Sequence, residues 1–179
     1  MRDANAFVHK LLASVESDAL SRTVNKGDFL LKEGETEKHL YWVESGALRV
    51  FYLSDMEELT IRLGYTGSFI NSLASFIKGS PSEFYVEAIR KTKIKLISKT
   101  ALEQLVYQDM ETLAQYTSLM ELLVTQQIER EIDLLISSPS ERLQRVLERS
   151  PNVFQEVPLK YIASYLRMTP ETLSRIRGV

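Results

Sequence analysis

The stretch Val157-Pro-Leu-Lys-Tyr-Ile-Ala-Ser-Tyr-Leu-Arg-Met-Thr-Pro-Glu-Thr-Leu-Ser-Arg-Ile-Arg177 reads as two short helices joined by a tight turn. Ile162, Tyr165 and Leu166 form the inner face of the first helix, and Ala163 is small enough for a second helix to cross close by. Arg167-Met168 makes the connection. Thr169 suits an N-cap, and Pro170 sits at the first helical position, where a missing N–H costs nothing. Leu173 and Ile176 turn inward, which leaves Glu171, Ser174, Arg175 and Gly178 facing out. Two helices joined in this way make a helix-turn-helix, whose second helix enters the major groove of DNA. Arg175 has the chemistry to pair with guanine O6/N7 and Glu171 to accept from cytosine N4, each worth roughly 1–3 kcal/mol of discrimination. Thr172, Ser174 and Arg177 can hold phosphates, with Thr169 and Pro170 completing the DNA-facing set. A plain helical hairpin with a solvated outer face is the competing reading. The capped Thr-Pro-Glu-Thr start, the small Ala163 and the terminal arginines favour DNA.

Upstream, the apolar period after Thr100 is also helical. Leu113, Tyr116, Met120, Leu123 and Gln127 recur at 3-4-3-4 spacing, Ile128, Ile132 and Leu135 extend that face, and Leu119 and Leu122 add a second one. A helix apolar on two sides has two things to touch. One face can lie on the rest of the chain, and the other, Leu113 to Gln127, can meet its mate in a homodimer. A single helix buried broadly in its own core is the alternative. Pro139 breaks this helix, Ser140 is a suitable cap for the next, and Leu143, Val146 and Leu147 form the stripe that follows up to Pro151.

Further upstream the texture changes. Asp3 to Leu20 has helical spacing, but between Thr23 and Ile97 β-branched and aromatic residues alternate with polar ones. Phe29-Leu30-Leu31, Leu40 to Val43, Ala47 to Tyr52, Leu59 to Leu63 and Ile94 to Ile97 are short strands separated by turn signals such as Lys26-Gly27-Asp28 and Glu44-Ser45-Gly46. Such spacing predicts an antiparallel sandwich or roll, interrupted by a brief helix over Asn71 to Ile77. The fold class is therefore α+β: a β-roll over 1–110, a long dimerisation helix over 111–136 and a helix-turn-helix domain over 137–179.

Composition narrows the function. The 179 residues include no cysteine, which excludes disulfides, thiolate metal sites and thiol redox sensing. No apolar run is long enough to span a membrane, and Met1 to Val15 lacks the apolar core of a signal peptide, so the cytoplasm is the expected location and a membrane is no partner. The net charge of −2 hides an asymmetry. Residues 137–179 carry seven Lys and Arg against four Asp and Glu, a net of +3, and residues 1–136 carry fifteen against twenty, a net of −5. An acidic front and a basic tail suit a chain whose last segment alone meets nucleic acid. No P-loop, Gly-x-Gly-x-x-Gly, His-Glu-x-x-His or Gly-x-Ser-x-Gly occurs, so no enzyme is expected. The carboxylates Glu33, Glu35 and Glu37, like Asp55, Glu57 and Glu58, are expected to be solvated in turns. No metal site is expected, and His9 and His39 read as solvated side chains rather than haem ligands.

Lys26-Gly-Asp-Phe-Leu-Leu-Lys-Glu-Gly-Glu35, followed by Leu40-Tyr-Trp-Val-Glu-Ser-Gly-Ala-Leu-Arg-Val50, resembles the opening strands of a cyclic-nucleotide-binding domain, with Gly27, Gly34 and Gly46 at its corners. Together with the long helix and the helix-turn-helix, the chain resembles the Crp/Fnr transcription regulators over nearly its whole length. The resemblance implies double-stranded DNA as partner, RNA polymerase and a small-molecule effector beside it, and half-sites roughly 34 Å apart in a pseudo-palindromic operator. Effector occupancy would act through a hinge at Ser137-Ser-Pro139. Glu171 and Arg175 match the family's base-reading pair, while another base-reading Arg falls on Pro170. The family's winged β-hairpin would follow Arg177, two residues before the sequence stops, and a lost wing or a shortened sequence accounts for this equally; a dimeric sensor or interaction module without DNA binding is the rival reading.

The resemblance breaks at the phosphate-binding cassette. Where cyclic AMP binders have Phe-x-Gly-Glu-Leu, this sequence has Phe69-Ile-Asn-Ser-Leu73, and the phosphate-pairing Arg falls on Ser82. A buried phosphodiester without a cation lacks its main partner, and Glu83 would repel it, so no cofactor and no tight cyclic AMP binding are expected. The cavity between roll and helix then holds another ligand, lined by Asn71, Ser72, Ser82, Glu83 and Gln127, or is filled by Phe69, Phe76 and Phe84.

Overall fold

A computed structural model describes residues 2–15, 21–55 and 57–178. Among these residues, eight strands form two antiparallel sheets. Strands β1 (Ser21–Val24), β8 (Thr92–Ser98), β3 (His39–Ser45) and β6 (Phe69–Ile70) make one, in that order. The other runs β2 (Phe29–Leu31), β7 (Tyr85–Ala88), β4 (Ala47–Ser54) and β5 (Glu57–Tyr65). Because successive strand residues point to opposite faces, Tyr41, Val43, Val50, Val86 and Ile94 all point between the sheets and make their core with Val24, Leu48 and Ile70. Sequence reading found five of these strands. β1 and β7 are short and interrupted by polar residues, and β6 has only two residues, so none shows the apolar run that marks the equally short β2.

Gly46 shows how tightly the roll closes. It turns the chain between β3 and β4 at φ 93°, where a side chain is strained, and an added Cβ would come within 2.5 Å of the Lys91 carbonyl oxygen. Helix α1 (Arg2–Ser14) buries Phe7 and Leu11 against Ile97 and against helix α3 (Lys99–Val106). The remainder of the helical stretch expected up to Leu20 (16–20) lies outside the described residues, as does Met56 of the turn at Ser54–Glu57. The brief helix α2 spans Leu73–Lys78.

Helix α4 runs from Met110 to Leu135 behind an Asp109 cap, whose carboxylate accepts from the Thr112 N–H at 2.6 Å. Helix α5 (Pro139–Arg149) is capped by Ser138, with Pro139 in its first turn, rather than by Ser140. The proline starts the helix instead of preceding its cap, because its fixed φ and missing N–H fit the first helical position. A short helix α6 (Val153–Glu156), unmarked in the sequence, then leads to α7 (Leu159–Tyr165) and α8 (Pro170–Arg177). Their core gathers Leu143, Val146, Val157, Ile162, Leu166 and Leu173. It is continuous with the roll, since Ala47 and Ile89 are part of the same buried cluster. Among the described residues, no helix is long and apolar enough to cross a membrane.

Candidate nucleic-acid interface and sensor pocket

Helix α8 is set as its sequence implies. The Thr169 hydroxyl accepts from the Thr172 N–H at 3.2 Å, Pro170 is in the first turn, and Gly178 ends the helix at φ 74°. Leu173 is completely buried and Ile176 packs beside it, so Glu171, Arg175 and Arg177 are held on the exposed side. Thr169 and Pro170 are exposed too, while Thr172 and Ser174 are half-buried. The Glu171 carboxyl is held below its ordinary range by its own backbone N–H and by the Thr169 hydroxyl. It is therefore an ionised acceptor at neutral pH. Arg175 has no ion-pair partner among the described residues, whereas Arg177 lies 3.9 Å from the centre of the Phe154 ring. In α7, Tyr161 rather than Tyr165 takes a fully buried position with Ile162 and Ala163, and Tyr165 is half-exposed. The start of α8 faces β5 across a groove of about 750 Å³ that Glu58, Lys160 and Glu171 help to line.

The helix pair is anchored to the roll by two sets of contacts and to the end of α4 by a third. The Ser164 hydroxyl donates to the Glu58 carbonyl at 3.1 Å and accepts from the Thr60 N–H at 3.0 Å. Arg49, 4% exposed, donates to Glu87 at 2.7 Å and Glu58 at 2.5 Å, with its guanidinium 4.1 Å from the Phe51 ring centre and 4.6 Å from that of Tyr161. Arg142 bridges the segment expected to hinge, donating to the Ile136 carbonyl at 2.6 Å and to that of Leu166 at 3.0 Å. Behind it, Asp133 is fully buried between Arg145, at 2.8 Å, and Arg149.

The residues expected to line a ligand cavity come together only in part. Asn71, Ser72 and Ser82 are buried, and the two serine hydroxyls bond each other at 2.8 Å. Ser82 also bonds the backbone of Phe84, and Asn71 donates to the His39 carbonyl. Ser72 and Ser82, the positions at which the resemblance expects a carboxylate and a guanidinium, thus carry neutral hydroxyls that serve each other. Glu83 is exposed beside a shallow groove with Tyr52, Phe84 and Arg167, and Gln127 is far along α4, accepting from Arg62 at 2.8 Å. The aromatic filling is only partly as expected. Phe76 is buried against α1 and α3, while Phe69 leans on Trp42 and Phe84 on Tyr52, both half-buried.

Glu37 corrects the expectation of a solvated turn. It is 3% exposed, and its carboxylate accepts from the Lys38 and His39 N–H groups at 3.0 and 3.1 Å and from the Tyr41 hydroxyl at 2.9 Å. Burial raises its pKa against the pull of these hydrogen bonds. His39 is likewise half-buried, its pKa lowered by burial and by Lys38. Local sequence could not place Glu37, because Ser72, whose N–H also reaches the carboxylate, comes to it only after the roll has closed.

The outward face of α4 also differs in detail. Leu113 and Tyr116 are partly used by α1, with the Phe7 and Tyr116 rings 5.3 Å apart, and Gln127 is engaged by Arg62. Met120 and Leu123 are half-buried. Besides Met110 and Leu134, the exposed apolar side chains of α4 are Val124, Ile128, Ile132 and Leu135, 61% exposed at Val124 and 82% at Leu135, and it is these four that line up. They recur every three or four residues along one face.

Residues 21–109 match the family model of the cyclic nucleotide-binding domain. The chain has the Crp/Fnr fold. The structure of FixK2 from Bradyrhizobium japonicum superimposes on 88% of this chain and 82% of its own, with a TM-score of 0.74 and 19% identity. A CRP/FNR-family transcriptional regulator from Thermus thermophilus is similar over 88% and 84%, at a TM-score of 0.62 and 19% identity. The c-di-GMP responsive regulator CLP of Xanthomonas campestris covers 97% and 90%, at 0.65 and 16%. Comparison with curated protein sequences gives no match. In this Crp/Fnr fold, the roll, the long helix and the helix pair stand in the order read from the sequence.

Proposed function

We propose that this chain is a DNA-binding transcription regulator, working as a homodimer in the cytoplasm. The observation that carries the reading is α8: a capped helix whose Leu173 is locked into a core while an ionised Glu171 and an Arg175 with no ion-pair partner among the described residues stand outside. An Arg and a Glu one helical turn apart reach neighbouring base edges, and Thr169, Pro170, Thr172, Ser174 and Arg177 lie within reach of the flanking phosphates. The dimer pairs through Val124, Ile128 and Leu135, joined at its edge by Leu113, Tyr116, Met120 and Leu123. Exposed apolar side chains in a row along a long helix are what a coiled-coil seam buries. RNA polymerase is the partner such a regulator would meet on DNA. Cyclic AMP is not its effector, because Ser72 and Ser82 offer neither the carboxylate for a ribose nor the cation for a cyclic phosphate.

Selection from a random double-stranded DNA pool tests this reading. A pseudo-palindrome with half-sites roughly 34 Å apart should be enriched, and the enrichment should vanish in Arg175→Ala. Failure to enrich any sequence would leave the sensor or interaction module as the better reading. In sedimentation, a wild-type monomer at micromolar concentration would overturn the homodimer, while dissociation of a dimer by Ile128→Glu would support the seam.

A further inference from the structure

A hinge needs residues free to absorb a change in φ and ψ, and few contacts crossing it. The segment 137–139, between α4 and the C-terminal helices, meets neither condition. Arg142 donates to the carbonyls of Ile136 and Ser137 at 2.6 and 3.4 Å, and the same guanidinium reaches the Leu166 carbonyl at the end of α7. The Ser138 hydroxyl is spent on the cap of α5, and Pro139 has a fixed φ. On either side, buried Asp133 of α4 is held by Arg145 and Arg149 of α5.

Beyond α5, the C-terminal helices share a core with the roll. Ala47 of β4 and Ile89, just after β7, are completely buried in one cluster with Val157, Ile162, Leu166 and Leu173. Leu63 and Tyr65 of β5 pack against the same cluster. Domains move on one another by default unless the surface between them is large and apolar. Swinging the helices away here would return this apolar surface to water. Polar groups tie the same boundary. β5 is an edge strand, and its Thr60 N–H and Glu58 carbonyl are both answered by the Ser164 hydroxyl, so α7 itself closes that edge. Arg90, in the turn between β7 and β8, donates to the carbonyls of Gln155 and Glu156 at 3.1 and 2.8 Å, where α6 ends. Buried Arg49 would lose the Tyr161 ring if α7 left.

We propose that the roll and the C-terminal helices of one chain form a single rigid body, and that 137–139 is a fixed joint rather than a hinge. Each α8 then keeps one orientation on its own roll. In a dimer, the two recognition helices change their spacing only by movement of one whole chain against the other along α4. This consequence for DNA rests on the reading of the chain as a homodimeric regulator; the rigidity itself does not.

Electron–electron distance measurement between two spin labels tests the joint directly. The sequence has no cysteine, so Lys32→Cys on the roll and Glu148→Cys on α5 give the only two attachment points, and both positions are exposed. The labelled chain is diluted into an excess of unlabelled chain, so that distances within one chain are read. One narrow distribution is expected in the free protein, and the same one after addition of the DNA recovered by the selection. Ser137→Gly loosens the backbone of the joint and should leave the distribution unchanged, because the shared core sets the orientation. A broad or two-peaked distribution in the free protein, a shift on adding DNA, or broadening by Ser137→Gly overturns the proposal. The free protein needs no DNA for its result, so failure of the regulator reading would show in the DNA selection alone.

Discussion

Two arginines, Arg49 of β4 and Arg130 of α4, hold the C-terminal helices, and their surroundings differ sharply. Arg49 has a carboxylate on each side and an aromatic ring on each face. Arg130 has one ring, one carbonyl and a buried nitrogen with no partner. The first is a closed arrangement in which each charge is answered within the chain, and the second leaves a charge unanswered. A buried ion pair is costly to break because the survivor stays desolvated. A buried lone cation is already in that condition, so removing it costs little.

The contrast makes ordered predictions. Arg49→Ala should have the largest effect, about 4 kcal/mol lost in urea denaturation, because it strands Glu87 and frees α7 from the roll. A loss below about 1 kcal/mol would mean that Arg49 is no staple. Glu37→Ala tests the other closed cluster and should cost about 3 kcal/mol, since Tyr41 and two backbone N–H groups lose their acceptor. Arg130→Met should change stability by less than about 1 kcal/mol, the lost contacts with Tyr165 being offset by relief of the unpaired charge. A large loss there would erase the contrast between the two arginines.

The smallest effect concerns pH. Burial raises the pKa of Glu37 above its ordinary 4.5, although hydrogen bonds from His39, Tyr41, Ser72 and Lys38 oppose it. A carboxyl raised in the folded state favours folding when protonated. Its contribution is complete below about pH 4.5 and is lost as pH rises through the raised value. Glu37→Gln, which does not titrate there, should flatten this part of the stability curve, and an identical curve for both proteins would rule Glu37 out as its source.

Much of the candidate interface was legible because its signals are local. Thr169, Pro170 and Gly178 are chosen by backbone conformation within one helix, and Leu173 and Ile176 by a 3.6-residue period. The order of strands, long helix and helix pair was legible for the same reason, through periodicity and turn residues. Even so, the cap of α5 was displaced from Ser140 to Ser138, since Pro139 can either precede a cap or follow one.

What only tertiary structure decided depends on residues distant in the chain. Arg62, Arg130 and Arg167 stand more than thirty positions apart and meet only after β5, α4 and the turn before α8 have packed. Glu37 looked like a turn carboxylate until the roll brought Ser72 to it and closed around both. Gln127 was assigned to a seam by its spacing, but Arg62 of β5 claimed it. Sequence determined where the longer helices and most strands form, because backbone preference and apolar period act over a few residues. Which charges are buried, answered or left open was decided by the fold, because desolvation depends on everything that surrounds a group in space.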